Sequence, residues 1–336
     1  MEPCPGINLI VGPNASGKTS LLEALFYISR AKSFRTTAHA ALIKIGHSAF
    51  TLFAELEERE SRSRIGIERS ASQIEIKINS SEVKKVSELA MLAPIQFVYS
   101  NSHKLIEDGP EHRRQFLDWG VFHVEPTFSG SWARYKKALN LRNLDLKNRR
   151  SKEQCQAWDT ELSQQGEKIS EMRSQYLSSF ADTLPQAIHH LAGIECLCVR
   201  FRSGWNKALS MNESLKNNFD TDYARGFTTA GPHRAEIEIL IDNTPARERL
   251  SRGQQKLLVI CMHIIQAAHM KSITGRPCVI LLDDIGAELD SEHLHRLTTF
   301  LIDLDHQLFI TALDPRLALN FDPSLSSVIS LSHTPK

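Results

Sequence analysis

Long hydrophobic runs are missing from this sequence. The longest, around Leu257–Met262 and Cys278–Leu282, fall far short of the roughly 20 apolar residues that cross a bilayer as a helix. The segment from Met1 to Gly12 has no charged stretch followed by a cleavable apolar core, so nothing marks the chain for secretion. Cysteine is scarce: six residues, at 4, 155, 196, 198, 261 and 278, with only Cys196 and Cys198 close together. Their single-residue spacing fits no zinc framework, and a disulfide scaffold is excluded. Buried free thiols in a reducing cytoplasm are the expectation. Neither charge sign dominates, with 40 Lys and Arg against 39 Asp and Glu. That balance excludes a protein that coats nucleic acid by its overall charge, and leaves a local basic surface or an oligomer. Low-complexity tracts and internal repeats are also missing.

What remains is ordinary globular composition, 41% hydrophobic and 24% charged. A length of 336 residues suggests about two domains. Asn8–Val11 reads as a short buried strand, Gly12–Thr19 as a glycine-containing loop, and Ser20–Ala31 as a helix with Leu21, Leu22, Leu25, Phe26 and Ile28. Apolar–polar alternation over Phe50–Leu56, Arg64–Glu68 and Gln73–Ile78 predicts three strands of an antiparallel sheet. Residues 111–185 are strongly helical. The polar stretch Lys147–Glu153 divides them into two helices, read as an antiparallel arm. The tail returns to α/β: a helix from about Gln254, a strand Val279–Leu282, a helix from about Ser291 and a strand Gln307–Thr311.

Gly12, Pro13, Asn14, Ala15, Ser16, Gly17, Lys18 and Thr19 match G-x-x-x-x-G-K-[ST] completely, between an apolar strand and an amphipathic helix. Glycines let backbone amides converge on phosphate oxygens, and the helix N-terminus adds its positive dipole. Lys18 is expected to reach the β- and γ-phosphates of ATP, with Ser20 just behind. The Thr19 hydroxyl is expected to ligate Mg2+. An ordinary glycine turn before a helix is the alternative.

Far along the chain, Cys278–Leu282 is an apolar strand ending in Asp283 and Asp284. Asp283 is placed to hold Mg2+ and Asp284 to orient an attacking water. Taken alone, a solvated strand end explains two acids equally well. About thirty residues upstream, Ser251, Arg252, Gly253 and Gln254 open a helix, where Ser251 is a natural N-cap. A Ser-x-Gly-Gln helix start ahead of an acidic strand resembles the signature motif of ABC-type ATPases. In that class the signature contacts ATP held by the partner subunit, which implies an ATP-dependent homodimer. The resemblance extends to Ala287-Glu288-Leu289-Asp290 as a D-loop. It also covers Gln96 as a Q-loop glutamine touching metal and water, and Thr311 at the position of the switch histidine. It implies nucleotide contacts from Ser251, Gly253, Gln254, Asp290 and Thr311.

Lys18 and Asp283 are about 265 positions apart with a helical stretch between them, a layout similar to the SMC-like ATPases. Asp108–His123 resembles the G-P-x-x-R-R-x-F-L-D element of the RecF family of bacterial recombination mediators. So do Lys32–Arg35, Trp158–Leu162, Gly231–Arg234 and Leu281–Asp284 with Glu288–Asp290. The similarity runs from about Gly6 to Leu331. It implies an α/β ABC-type ATPase head with a mixed sheet and an antiparallel β subdomain, formed from residues 1–110 and 225–336. A helical arm domain is expected over 111–224. It further implies a weak cytoplasmic ATPase that acts on double-stranded DNA and on gapped or single-stranded junctions, without a membrane. RecR is the implied partner, together with RecO and RecA. A structural DNA-tethering ATPase and a transporter ATPase subunit are the competing readings, disfavoured by the short arm and by the wide motif separation.

Members of the family carry a further N-terminal segment, with an edge strand and an aromatic-basic turn. The chain starts at Met1, just short of the strand Gly6–Val11. The expectations are a late start or truncation, an exposed strand edge in the nucleotide lobe, and loss of residues near the adenine. For DNA, Lys136, Lys137, Arg142, Lys147, Arg149 and Arg150, flanked by Arg134 and Lys152, form a locally basic stretch. A solvated helical face is the plain reading, and a groove for duplex phosphates is the one the family resemblance favours. Arg113 and Arg114 are secondary DNA candidates that could instead pair with Glu111 or Asp118. His233 is expected to pack or to line an interface rather than to catalyse.

Overall fold

The computed structural model describes residues 1–58, 61–98, 104–284, 291–303 and 306–332. They form two compact units, Met1–Ser100 with Gly275–Lys336, and Asn101–Thr274. Residues 104–110 and 225–274, expected in the ATPase head, fall in the second unit.

In the first unit, β1 (Ile7–Val11) is buried along its whole length, as a continuous apolar run requires. Its one polar residue, Asn8, is satisfied. Nδ2 donates to the Cys4 carbonyl at 2.9 Å and the Leu308 carbonyl at 3.2 Å, and Oδ1 accepts from Cys4 N–H at 2.8 Å. The glycine loop leads into α1 (Lys18–Arg30), which starts two residues earlier than its apolar spacing suggests. Next come β2 (Ala49–Glu58), β3 (Ser61–Ser70), β4 (Ile74–Ile78) and the short β5 (Ser81–Glu82), paired in that order as an antiparallel sheet with β2 at one edge. Alternation places Ile65, Ile67 and Ile76 on one face, where they pack with Tyr27 and Ile28 of α1. Burying each such side chain contributes about 1.5–3 kcal/mol. Helix α2 (Val86–Leu92) and strand β6 (Ile95–Val98) follow.

The second unit is mainly helical: α3 (Lys104–Glu107), α4 (Pro110–Val124), α5 (Phe128–Lys147), α6 (Lys152–Gln156) and α7 (Asp159–Ala192). Pro110 at the first helical position starts α4 without forfeiting a hydrogen bond. The Ser151–Gln154 capping box starts α6 inside the stretch expected to be only a divider. Pairings Arg134–Glu161, Arg142–Asp159 and Asp145–Trp158 run in opposite sequence directions, so α5 and α7 are antiparallel, as expected. The unit also contains a three-stranded sheet of β7 (Leu197–Arg202), β8 (Glu236–Ile241) and β9 (Thr244–Pro245), beyond the helical expectation for 111–224. The short helices α8 (Met211–Asn217) and α9 (Phe219–Arg225) lie between its first two strands in sequence. Helix α10 (Ala246–Arg249) then leads to α11 (Arg252–Thr274). By length and composition α11 could cross a membrane, but residues such as Leu258, Val259, Cys261 and Ile264 are fully buried and it serves as a core helix.

The chain returns to the first unit through β10 (Val279–Leu282), α12 (Ser291–Asp303), β11 (Gln307–Ala312) and β12 (Ser326–Ser330). The strands form one parallel sheet in the order β12-β1-β11-β10-β6. All six cysteines are free. Cys155, Cys261 and Cys278 are buried, whereas Cys196 is exposed, so the expectation of buried thiols holds for part of the set. Burial pushes the Cys261 and Cys278 thiols up to about 12, which keeps them unreactive.

Candidate functional site

Parallel strands end on one rim, and the order of this sheet brings the ends of β1, β11 and β10 side by side. Phosphate loop and acidic pair therefore meet although 264 positions separate Thr19 from Asp283. The loop leaves β1 at Gly12, where a Cβ would lie 2.5 Å from the Leu331 carbonyl oxygen, too close for any side chain. It enters α1 through Gly17 at φ 97°, a left-handed conformation suited to glycine. Among the described residues no side chain caps α1, so its first-turn N–H groups keep their donors for an incoming anion. Pro13, Asn14 and Ala15 are exposed, and Ser16 N–H donates to the Pro13 carbonyl at 3.2 Å. The Ser16 hydroxyl has no partner among the described residues, and Ser20 is exposed on the first helical turn.

Lys18 folds back over this loop. Its Nζ donates to the Gly12 carbonyl at 2.7 Å and the Pro13 carbonyl at 3.0 Å, which holds the ammonium at the loop. The Thr19 hydroxyl reaches both Asp283 oxygens, at 3.3 and 3.4 Å. Oxygen ligands from a threonine and a carboxylate suit a hard divalent cation, so these residues fit Mg2+. Thr311, fully buried, donates to Asp283 Oδ1 at 2.8 Å and accepts from Asp284 N–H at 2.7 Å. Asp284 lies at φ 54°, in the left-handed region.

Gln96 is not brought to this cluster. It lies inside β6, opposite Ile280 in register and between Ile95 and Phe97, which both face α1. Alternation sends its side chain to the other face of the sheet, away from the face that carries Leu281 and Asp283. The D-loop residues, including Asp290, lie outside the described residues. In the second unit, Ser251 and Gln254 form a capping box, with Gln254 N–H to Ser251 Oγ at 3.3 Å and Ser251 N–H to Gln254 Oε1 at 3.0 Å. Gly253 is exposed, and a Cβ there would meet nothing within 4 Å. The helix start is thus both well capped and open to solvent.

The basic stretch separates into two groups. Lys136, Lys137, Lys147, Arg149 and Arg150 are exposed. Arg142 is not: it is fully buried, bonded to Asp159 at 2.8 Å, Asp222 at 2.7 Å and Thr228 at 2.8 Å. Its expected DNA contact is corrected to a structural one, because a guanidinium between two buried carboxylates is not available to phosphate. Arg149 donates to the Tyr223 and Ala224 carbonyls and stacks on the Tyr223 ring, and Arg134 is bidentate to Glu161. Arg113 pairs with Glu236 at 2.7 and 2.9 Å, and Arg114 donates to the Ala235 carbonyl, while the charges of Glu111 and Asp118 favour the Arg114 cation without a hydrogen bond to it among the described residues. Asp118 instead holds buried Arg173. His233 accepts from the Tyr135 hydroxyl through Nδ1 at 2.6 Å and donates from Nε2 to the Thr228 carbonyl at 3.0 Å. Burial pushes it down to about 4, which keeps it neutral and structural.

Comparison with known proteins accords with this geometry. The profile of the RecF/RecN/SMC N terminal domain matches residues 1–332. The chain is 38% identical to the DNA replication and repair protein RecF of Shewanella frigidimarina (strain NCIMB 400), covering 97% of this chain and 90% of that protein. It is 37% identical to that of Shewanella baltica (strain OS185), covering 99% and 90%. The chain belongs to the RecF family. A solved structure of the recombination mediator protein RecF with ATP superposes at a TM-score of 0.84 with 25% identity, covering 94% of this chain and 87% of that one. An Smc head bound to the C-winged helix domain of ScpA matches at a TM-score of 0.59 and 15% identity, which speaks for the fold alone. RecF membership makes this an ATP-binding, ABC-type protein of DNA replication and repair.

Proposed function

We propose that ATP joins two copies of this chain on DNA and that its slow hydrolysis releases them. One observation carries the reading: Thr19 and Asp283 come from opposite ends of the chain, and their oxygens converge beside Lys18 and an uncapped helix start. Lys18 is placed to leave the Gly12 and Pro13 carbonyls for the γ-phosphate, and the α1 N–H groups to hold the phosphate chain. Thr19 and Asp283 would hold Mg2+, which when bound supplies neutralisation of phosphate charge. Asp284, one residue on, would orient the attacking water. The exposed Ser251–Gly253 helix start offers a hydroxyl and a side-chain-free backbone to the nucleotide of a second copy. Exposed Lys136, Lys137, Lys147 and Arg150 supply phosphate contacts without base readout, so DNA is bound by structure rather than by sequence.

In this reading the protein acts in the cytoplasm on gapped or junction DNA. With RecR, and with RecO, it helps load RecA. Family membership and the presence of both ABC half-sites in one chain support it over a purely structural tether. Light scattering of wild type and Lys18→Ala, with and without ATP and Mg2+, tests it. Wild type should double in mass with ATP and Lys18→Ala should remain monomeric. Equal dimerisation of the two proteins would overturn the nucleotide assignment.

A further inference from the structure

Thr311 closes the gap between the two acidic residues. It ends a strand whose register puts Ile310 beside Leu282, so Thr311 falls next to Asp283, on the face of the sheet that packs against α1. Its single hydroxyl serves both neighbours, donating to Asp283 Oδ1 at 2.8 Å and accepting from Asp284 N–H at 2.7 Å. A threonine hydroxyl has one hydrogen. With that hydrogen committed to Asp283, none remains to sense a γ-phosphate, the task implied by the switch-histidine position. The second contact matters because Asp284 adopts φ 54°, a conformation unfavourable for a residue with a side chain. A hydrogen bond to its N–H holds the backbone there. Packing alone does not call for the hydroxyl, since valine has the same shape.

We propose that Thr311 is the positioning residue of the hydrolytic site. It fixes the Asp283 carboxylate for the metal and the backbone turn that aims Asp284. The inference rests on the ATPase reading above, and the test separates the two. Thr311→Val removes the hydroxyl at constant shape, and Thr311→Ser keeps it. Mn2+ serves as the metal probe, its binding followed by electron paramagnetic resonance in the presence of a non-hydrolysable ATP analogue, beside nucleotide affinity without metal and turnover with Mg2+.

Thr311→Val should bind metal-free nucleotide like wild type, hold Mn2+ about tenfold more weakly and turn over at least about tenfold more slowly. Thr311→Ser should stay within about twofold of wild type in all three. A role confined to packing would lower the unfolding midpoint of Thr311→Val and leave its Mn2+ affinity untouched. That outcome, or Thr311→Ser as impaired as Thr311→Val, overturns the proposal. If Thr311→Val does not fold, Thr311→Ala against Thr311→Ser makes the same comparison. Wild type that binds neither nucleotide nor Mn2+ overturns the ATPase reading along with it, whereas normal binding by every variant overturns the positioning role alone.

Discussion

Arg142 and Asp222 meet at 2.7 Å with both side chains wholly withdrawn from solvent, 80 positions apart in sequence. Asp159 closes the arrangement from the other side of the guanidinium at 2.8 Å. This ion triad ties α5, α7 and α9 together, and Asp222 also accepts from Thr229 N–H at 2.8 Å and its hydroxyl at 2.6 Å. A basic residue in a basic stretch is thus the internal clamp of the helical unit.

Replacing Arg142 tests that assignment. Arg142→Leu keeps much of the volume but leaves two carboxylates buried without their cation. Breaking a buried pair from one side costs about 3–5 kcal/mol, so the urea midpoint should fall sharply. Fragments of DNA should still bind the folded fraction at low urea, because Arg142 does not face solvent. An unchanged midpoint with weakened DNA binding would return Arg142 to the DNA surface.

The exposed lysines make the complementary prediction. Binding to duplex DNA should weaken as salt rises, and Lys136→Ala and Lys147→Ala should each reduce the slope of log K against log salt by about 1. Arg134→Ala should change it little, because its guanidinium already serves Glu161. Fluorescence anisotropy over a salt series reads all three. A salt-independent affinity would point to base stacking.

Much of this was legible in the sequence where chemistry is local. The phosphate loop, the strand before it and the acidic strand obey short-range rules of spacing and hydrophobic run. Their alignment on one rim follows from parallel strands joined by crossovers. Burial of Arg142 was not legible, since its partners lie 17 and 80 positions away and a helix of mixed polarity gives no sign of which face is covered. Gln96 shows a different limit. One position along β6 decides which face a side chain takes, and resemblance to a loop motif does not carry that parity. The β7–β9 sheet is hard to read because two helices separate β7 from β8 in sequence and β9 has only two residues.

Acid should weaken the helical unit through His233. Its folded value is pushed down to about 4 from an ordinary 6.5 by burial. Above pH 6.5 the imidazole is neutral in both states and the histidine contributes no pH dependence. Between 6.5 and 4 the unfolded chain takes up the proton first, so stability falls as pH falls through that window. From pH 7 to pH 5 the loss attributable to this residue is about 2 kcal/mol. His233→Gln, neutral at every pH, should show a smaller loss over the same interval, measured by urea unfolding at each pH. Identical losses in the two proteins would remove His233 from the explanation.

Composite-site chemistry makes the sharpest prediction, because its two halves lie in separate segments. Asp284→Asn should bind ATP and dimerise, yet not turn over, since the amide cannot accept a proton from water. Ser251→Arg should bind ATP but remain monomeric. Its bulky cation would fill the space that Gly253 leaves open, and it would remove the hydroxyl offered to the partner's nucleotide. Mixing Lys18→Ala with Ser251→Arg then creates a heterodimer in which one interface carries both defects and the other pairs an intact loop with an intact signature. Hydrolysis should recover in the mixture although neither protein hydrolyses alone, as followed by phosphate release with the two at equal concentration. The decisive measurement concerns the single variant: Ser251→Arg that stays monomeric by light scattering and still releases phosphate at the wild-type rate would show that each chain hydrolyses ATP unaided.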